Sequence, residues 1–279
     1  MTHSIPGQSL LDPTVLDNPY PFYRRLQSEA PVWQVPGTKI FVISRYSLLD
    51  EASRPFRSGG HFAYHYARGK LSSDSIFREI LKRGLFTARG RYLDLGCGQG
   101  SLFAWLLAAR QQYEAGNWPA DWPAAPKPLH LRGSELMPKD VDRAARAFGP
   151  DHPILRIEQG DMIKADFGKA NVITILDALH YFDHAHQIDV LQRIRAALPP
   201  GGLFLTRVGD ASAGLPYHLC NWVDHAVTFM RGHRLPRLYC RPLAEWVALL
   251  QRFGFVVETD PMNEGKPFAN VMLVCRVPS

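Results

Sequence analysis

The residues from Tyr92 to Leu102, YLDLGCGQGSL, hold the densest chemistry of the chain. Apolar Tyr92, Leu93 and Leu95 suit a parallel strand covered on both faces, with the carboxylate of Asp94 near its end. Gly96, Gly98 and Gly100 follow at alternate positions, where backbone without a Cβ can approach a ligand closely. A helix near Ser101 to Gln111 would point its N–H groups and positive dipole end into the same space. Together these make a cradle for a nucleotide. It is not the dinucleotide fingerprint, whose third glycine would fall where Ser101 stands.

The elements that must position this cradle read as alternating strands and helices. Ser72-Ser73-Asp74 can cap a helix running through Arg83, with Phe77, Ile80 and Leu81 on its core face. Residues 112–129 are too rich in tryptophan and proline for a regular element. Strands are expected at about His130 to Ser134, Ile154 to Glu158, Asn171 to Leu176 and Leu203 to Val208. A helix spans Ala185 to Leu198 before the turn Pro199-Pro200-Gly201-Gly202, and another spans Leu243 to Phe253. Phe255 to Glu258 and Val271 to Cys275 fit a closing antiparallel hairpin. The alternation predicts an open parallel sheet.

The pattern D-x-G-x-G-x-G, as LDLGCGQG, resembles motif I of the class I S-adenosylmethionine (SAM) dependent methyltransferases. The resemblance continues in order through residues 60–279. It implies a Rossmann-like, seven-stranded, mostly parallel α/β sheet with helices on both faces, and SAM as cofactor. It places Asp94 and the turn Gly96, Gly98 and Gly100 at the methionine end of SAM. Glu135, ending the second strand, would accept from both ribose hydroxyls, as a carboxylate can. Asp161 and Met162, in the GDM triplet, would hold the adenine through its amine and an apolar wall. Asp177, with the stretch Ala178-Leu179-His180-Tyr181-Phe182, would face the transferred methyl.

His180 lies at the sheet end where ligands collect in open α/β folds. It is either the general base for a hydroxyl acceptor or a packing residue. Tyr64, His65 and Arg68 would meet the SAM carboxylate or the substrate, or else form a surface amphipathic turn. Tyr181, His218 and Trp222 are further substrate-side candidates, the last two in a stretch that in this family often covers the substrate. The likeness leans toward bacterial small-molecule tailoring enzymes of the aryl polyene type, with an aromatic or polyketide-type hydroxyl as acceptor. A SAM-binding scaffold or partner subunit without catalysis is the alternative, and a nucleic-acid methyltransferase a weaker one.

The beginning of the chain has a different likeness. NPYPFYRRLQSEAPVWQVPG…FVISRYSLLDEA, within residues 11–55, resembles the start of a bacterial cytochrome P450. No glycine-rich loop with a cysteine follows near the C-terminus, so no haem is expected. An ordinary helix-plus-hairpin extension reads equally well. The division expected is residues 1–57 as this extension and 58–279 as the methyltransferase domain. DNPY at 17–20 lacks the second proline of an amino-methylating motif and precedes motif I.

The formal charge is +6, with basic residues scattered and no basic tract interleaved with aromatics, which argues against nucleic acid. Cys97, Cys220, Cys240 and Cys275 show no C-x-x-C spacing, so neither zinc nor a disulfide framework is indicated. Asp177 and Asp210 stand where a metal-dependent catechol enzyme has carboxylates, but Ala211 replaces the expected Asn, so no metal is expected. With no signal peptide and no apolar run of membrane length, a cytoplasmic location is expected.

Overall fold

The computed structural model describes residues 12–18, 21–22, 25, 32–34, 41–43, 47–86, 89–214, 238–262 and 269–279. The chain divides into two compact units, Met1–Asp50 and Glu51–Ser279. In the first, α1 (Pro13–Asp17) is capped by Asp12, whose Oδ1 accepts from the Thr14 N–H at 2.9 Å. The expected hairpin is present: β1 (Val32–Gln34) pairs antiparallel with β2 (Phe41–Ile43). Helix α2 (Ser47–Ser53) spans the division in the chain, and a 3-10 turn (Arg54–Arg57) follows within the second unit.

The second unit is built on one seven-stranded sheet. Its strands are β3 (Arg89–Leu95), β4 (Lys127–Glu135), β5 (Leu155–Gln159), β6 (Val172–Leu176), β7 (Leu203–Gly209), β8 (Val256–Pro261) and β9 (Asn270–Arg276). They lie in the order β5-β4-β3-β6-β7-β9-β8. The first five are parallel, and β9 pairs antiparallel with both β7 and β8. The Rossmann-like, mostly parallel sheet expected from the sequence is therefore present. The chain order reverses beside β3, and in such sheets the crevice outside the carboxyl ends at the reversal takes the ligand.

Most of β6 and β7 is buried, as their largely apolar sequences require. One face is covered by α7 (His184–Ala197) and α8 (Leu243–Arg252). There Val190, Leu191, Ile194, Trp246 and Leu250 pack with Ile173, Ile175, Phe204 and Leu273. α5 (Ser101–Glu114) is buried along most of its length, and its Trp105 Nε1–H donates to the carbonyl of Phe77 at 2.7 Å. Phe77 belongs to α4 (Ser75–Lys82), whose apolar stripe Ile76, Phe77, Ile80 and Leu81 is fully buried.

Two local differences from the sequence expectation have plain causes. Ser72 and Ser73 do not open the helix that follows. They close α3 (His61–Ser73), donating back to the carbonyl of Gly69 at 3.0 and 2.8 Å, and Asp74 alone caps α4. β4 also starts earlier than expected, at Lys127. Its pairing with β3 slips at Gly90/Arg91, and this bulge admits Pro128 and turns Leu129 out to solvent.

Candidate active site

The glycine turn is fixed by the neighbouring strand. The Gly96 and Cys97 N–H groups both donate to the carbonyl of Ser134, at 2.8 and 3.2 Å. The Gly98 N–H donates to Glu135 Oε2 at 2.8 Å, and the Met137 N–H donates to Glu135 Oε1 at the same distance. Glu135 is buried, and each oxygen retains a lone pair beyond these bonds. The glycines serve different ends. A Cβ on Gly98 would enter open space, whereas one on Gly100 would meet Ile157 Cδ1 at 2.7 Å and Phe148 Cε2 at 2.9 Å. Gly98 therefore faces open space, and Gly100 lets the start of α5 sit close against Ile157 of β5 and Phe148.

Asp94 points into the protein. Its Oδ1 accepts from the Thr174 hydroxyl at 2.6 Å. Burial pushes its pKa up to about 7, against the opposing pull of the Thr174 bond and the Lys70 charge. Asp161 begins the turn after β5, where its Oδ1 accepts from the Ile163 N–H at 2.9 Å while the side chain stays partly exposed. Met162 is buried beside the glycine turn: a Cβ on Gly96 would lie 3.2 Å from its Cε.

The end of β6 is built from charge. Asp177 has φ +58°, a conformation that non-glycine residues rarely adopt. Its Oδ1 accepts from Arg207 Nε at 2.6 Å and its Oδ2 from Arg207 Nη2. Arg207 also binds Asp74, through Nη1 to Oδ1 at 2.5 Å and Nη2 to Oδ2 at 2.8 Å. Lys70 of α3 brings its Nζ within 3.8 Å of Asp177 Oδ2. Burial works against the charge of Asp177, but Arg207 and Lys70 outweigh it and hold the carboxyl well below the usual range.

His180 follows in a short 3-10 turn (Leu179–Tyr181) and is 8 % exposed, and its carbonyl accepts from the Tyr239 N–H at 2.8 Å. Burial lowers its pKa, partly offset by Asp177, so the imidazole is neutral at pH 7. Tyr181 packs its ring 4.4 Å from that of His180 and is itself exposed.

Of the candidates on α3, Tyr64 lies half-buried against the Phe56, Ala63, Ala67 and Ala104 cluster, with the Arg57 guanidinium over its ring. His65 is exposed beside His61, and Arg68 Nη1 bonds the Ser53 hydroxyl at 3.4 Å. Lys70 is the residue of this helix placed against Asp177. His218 and Trp222 lie outside the described residues. Asp210 Oδ1 accepts from the Ser212 and Leu243 N–H groups, both at 2.9 Å. Among the described residues no group of three or more His, Cys, Asp or Glu could hold a metal ion.

From the sequence Asp74 is only a helix cap, and neither Lys70 nor Arg207 carries a role in the site. The signal for Arg207 was an arginine within the apolar strand Leu203-Phe204-Leu205-Thr206-Arg207-Val208, where burial would demand a partner. Nothing in the sequence named Asp74 as that partner.

A glycine turn between β3 and α5, an acid ending β4 and a strained acid ending β6 define a class I, SAM-dependent methyltransferase domain. Residues 64–260 match the family described as Methyltransferase domain, and the chain belongs to that family. SAM is its cofactor.

A carboxy-S-adenosyl-L-methionine synthase of Chromohalobacter salexigens is 31% identical over 114 residues, 40% of this chain and 37% of that protein. The chain thus matches little more than a third of that relative's length. Among solved structures, an O-methyltransferase family protein from Burkholderia thailandensis superposes with a TM-score of 0.54 at 18% identity, covering 80% of this chain and 62% of that one. A chain of the complex between the Haloferax volcanii Trm112 methyltransferase activator and the putative methyltransferase gives 0.56 at 16% identity, covering 82% and 98%. The DhpI–SAH complex gives 0.52 at 16% identity, covering 84% and 98%. These identities establish likeness of fold. No helix among the described residues is long and apolar enough to cross a membrane.

Proposed function

We propose that this chain transfers the methyl group of SAM to a hydroxyl of a small aromatic or polyketide-type molecule. SAM, when bound, supplies a methyl carbon made electrophilic by its sulfonium. The cradle fits it: the space over Gly98 is open, and Glu135 and Asp161 stand at the ends of adjacent strands with acceptor capacity to spare. In this reading Glu135 takes the ribose hydroxyls, Asp161 the adenine amine, and Met162 walls the base. Asp94, with Gly96, Gly98 and Gly100, frames the methionine end.

The observation that carries hydroxyl transfer is His180, a buried neutral imidazole beside the strained end of β6. Neutral, it accepts the hydroxyl proton as the oxygen attacks; an imidazolium would not. Tyr181, exposed next to it, borders the acceptor. Tyr64, His65 and Arg68 lie nearer the start of α3 than Lys70, and we assign them, with His218 and Trp222, to the acceptor side. The amino-terminal extension takes no part. Because Phe56 is fully buried in the methyltransferase unit, deletion of residues 1–50 is the cut that should leave SAM binding intact.

Purified protein incubated with methyl-labelled SAM and small-molecule extracts, read by mass spectrometry, tests this. A labelled product of a phenol or hydroxylated polyene is the expected result. SAM binding without label transfer to any small molecule would favour the non-catalytic alternative. The likeness to a carboxy-SAM synthase offers a second reading, chemistry on SAM itself, and a carboxylated SAM in the same spectra would favour it.

A further inference from the structure

We propose that Arg207 is a positioning residue of this site, its guanidinium clasping α3 and the His180 turn to the sheet so that Lys70 and His180 hold a fixed relation. The proposal rests on the reading that methyl transfer occurs at this end of the sheet. Three segments far apart in the chain meet at one cation: Asp74 at the α3–α4 junction, Asp177 at the end of β6, and Arg207 near the end of β7. Arg207 uses its planar fork on both carboxylates, with only 10 % of its side chain exposed. Such a cluster is costly to desolvate, and apolar residues of the same volume would often stabilise the fold as well. What the fork adds is geometry.

Each partner fixes something further. Asp74 Oδ1 also accepts from the Ile76 N–H at 3.3 Å, so displacing it would undo the start of α4. Asp177 holds its left-handed backbone while bonded twice to Arg207, and a strained residue persists only where its surroundings impose it. Lys70 lies one helical turn before Asp74 and reaches the same Asp177. Two cations face two carboxylates, so the loss of one leaves a buried charge uncompensated. At its other end α3 is tied to the glycine turn, where Gln99 Nε2 donates to the Ala63 carbonyl at 2.8 Å. The helix is thus held at both ends, once by the cofactor turn and once by the clasp.

Three variants test the clasp: Asp74→Asn, which keeps a good cap, Arg207→Lys, which keeps charge without the fork, and Arg207→Met combined with Asp74→Asn, which removes a matched pair. Amide hydrogen exchange should accelerate at least tenfold within residues 61–73 and 177–182 in Asp74→Asn and in the double variant, with β3 and β7 unchanged. In Arg207→Lys, kcat for label transfer from SAM should fall at least tenfold while the KM for SAM stays within threefold. Wild-type protection of both segments in a folded double variant would overturn the clasp, as would acceleration spread evenly over the sheet. Equal loss in kcat and in thermal stability, both restored by Arg207→Lys, would reduce Arg207 to a structural residue and also overturn it. Exchange needs no acceptor: wild-type protein without SAM affinity would remove the functional reading and leave the clasp to be judged by exchange alone.

Discussion

The two sides of the site are held by different forces. The glycine-turn side is fixed partly by backbone bonds between adjacent parallel strands, where the Ser134 carbonyl takes two N–H groups, and partly by the Glu135 carboxylate, which takes the N–H groups of Gly98 and Met137. The His180 side is fixed by side-chain charge drawn from three distant segments through Arg207. Backbone bonds of the first kind follow from strand register and survive most side-chain changes. Ionic bonds of the second kind depend on every partner being present, which leaves that side open to breakage by one substitution.

The largest expected effect falls on the charged side. His180→Ala should retain SAM affinity and lose about 10²–10⁴ in turnover. The loss should shrink for a more acidic phenol, which needs less help to ionise. Steady-state kinetics with calorimetry on the same preparation checks both, and unchanged turnover would strip His180 of its role.

Next comes Asp94, where the two sides meet. Its folded pKa, about 7, stands above the unfolded value of about 3.9. Ionisation therefore works against the folded state: the contribution is most favourable below the unfolded pKa and is lost as pH rises through the folded one. Asp94→Asn keeps an acceptor for Thr174 and removes this dependence. Its stability relative to wild type should grow between pH 4 and pH 8, by up to about 4 kcal/mol. Urea melts of the pair across that range should diverge; parallel curves would show that Asp94 ionises freely.

Glu135→Ala should weaken SAM binding about tenfold or more, since a hydrogen bond to a charged group is worth about 1.5–3 kcal/mol. Calorimetry showing wild-type affinity would remove Glu135 from the cofactor site. The smallest effect sharpens the comparison within the turn itself. Gly98→Ala meets only the left-handed backbone penalty, about 1–2 kcal/mol, and should lower SAM affinity more than stability. Gly100→Ala adds collisions with Ile157 and Phe148 and should lower stability first. Thermal melts with and without SAM separate the two.

Much of the sheet was legible before the structure. The strands at β3, β5, β6 and β7 and the helices α5, α7 and α8 fall within a few residues of their expected spans, and α6 (Pro138–Phe148) lies between β4 and β5. Each is an apolar run of the right period with a turn signal at its end. The start of β4 was missed because a bulge is a matter of pairing register, which one strand's sequence does not contain. Residues 61–73 showed aromatics, imidazoles and cations without saying that a full helix joins them or that Lys70 is the side chain at Asp177.

What the sequence determined by itself was local: the glycines that admit a left-handed turn, the acids ending successive strands, and the alternation that makes a parallel sheet. These follow from a few bonds of backbone geometry and from side-chain period, and neighbours in sequence suffice to express them. Tertiary structure alone decided which charges meet. Asp74 and Arg207 are 133 residues apart, and only the strand order beside β3 and the packing of α3 bring one to the other. Coulomb attraction in a buried site rewards that meeting, but it has no local signature in the chain, because it depends on distance in space and on exclusion of water.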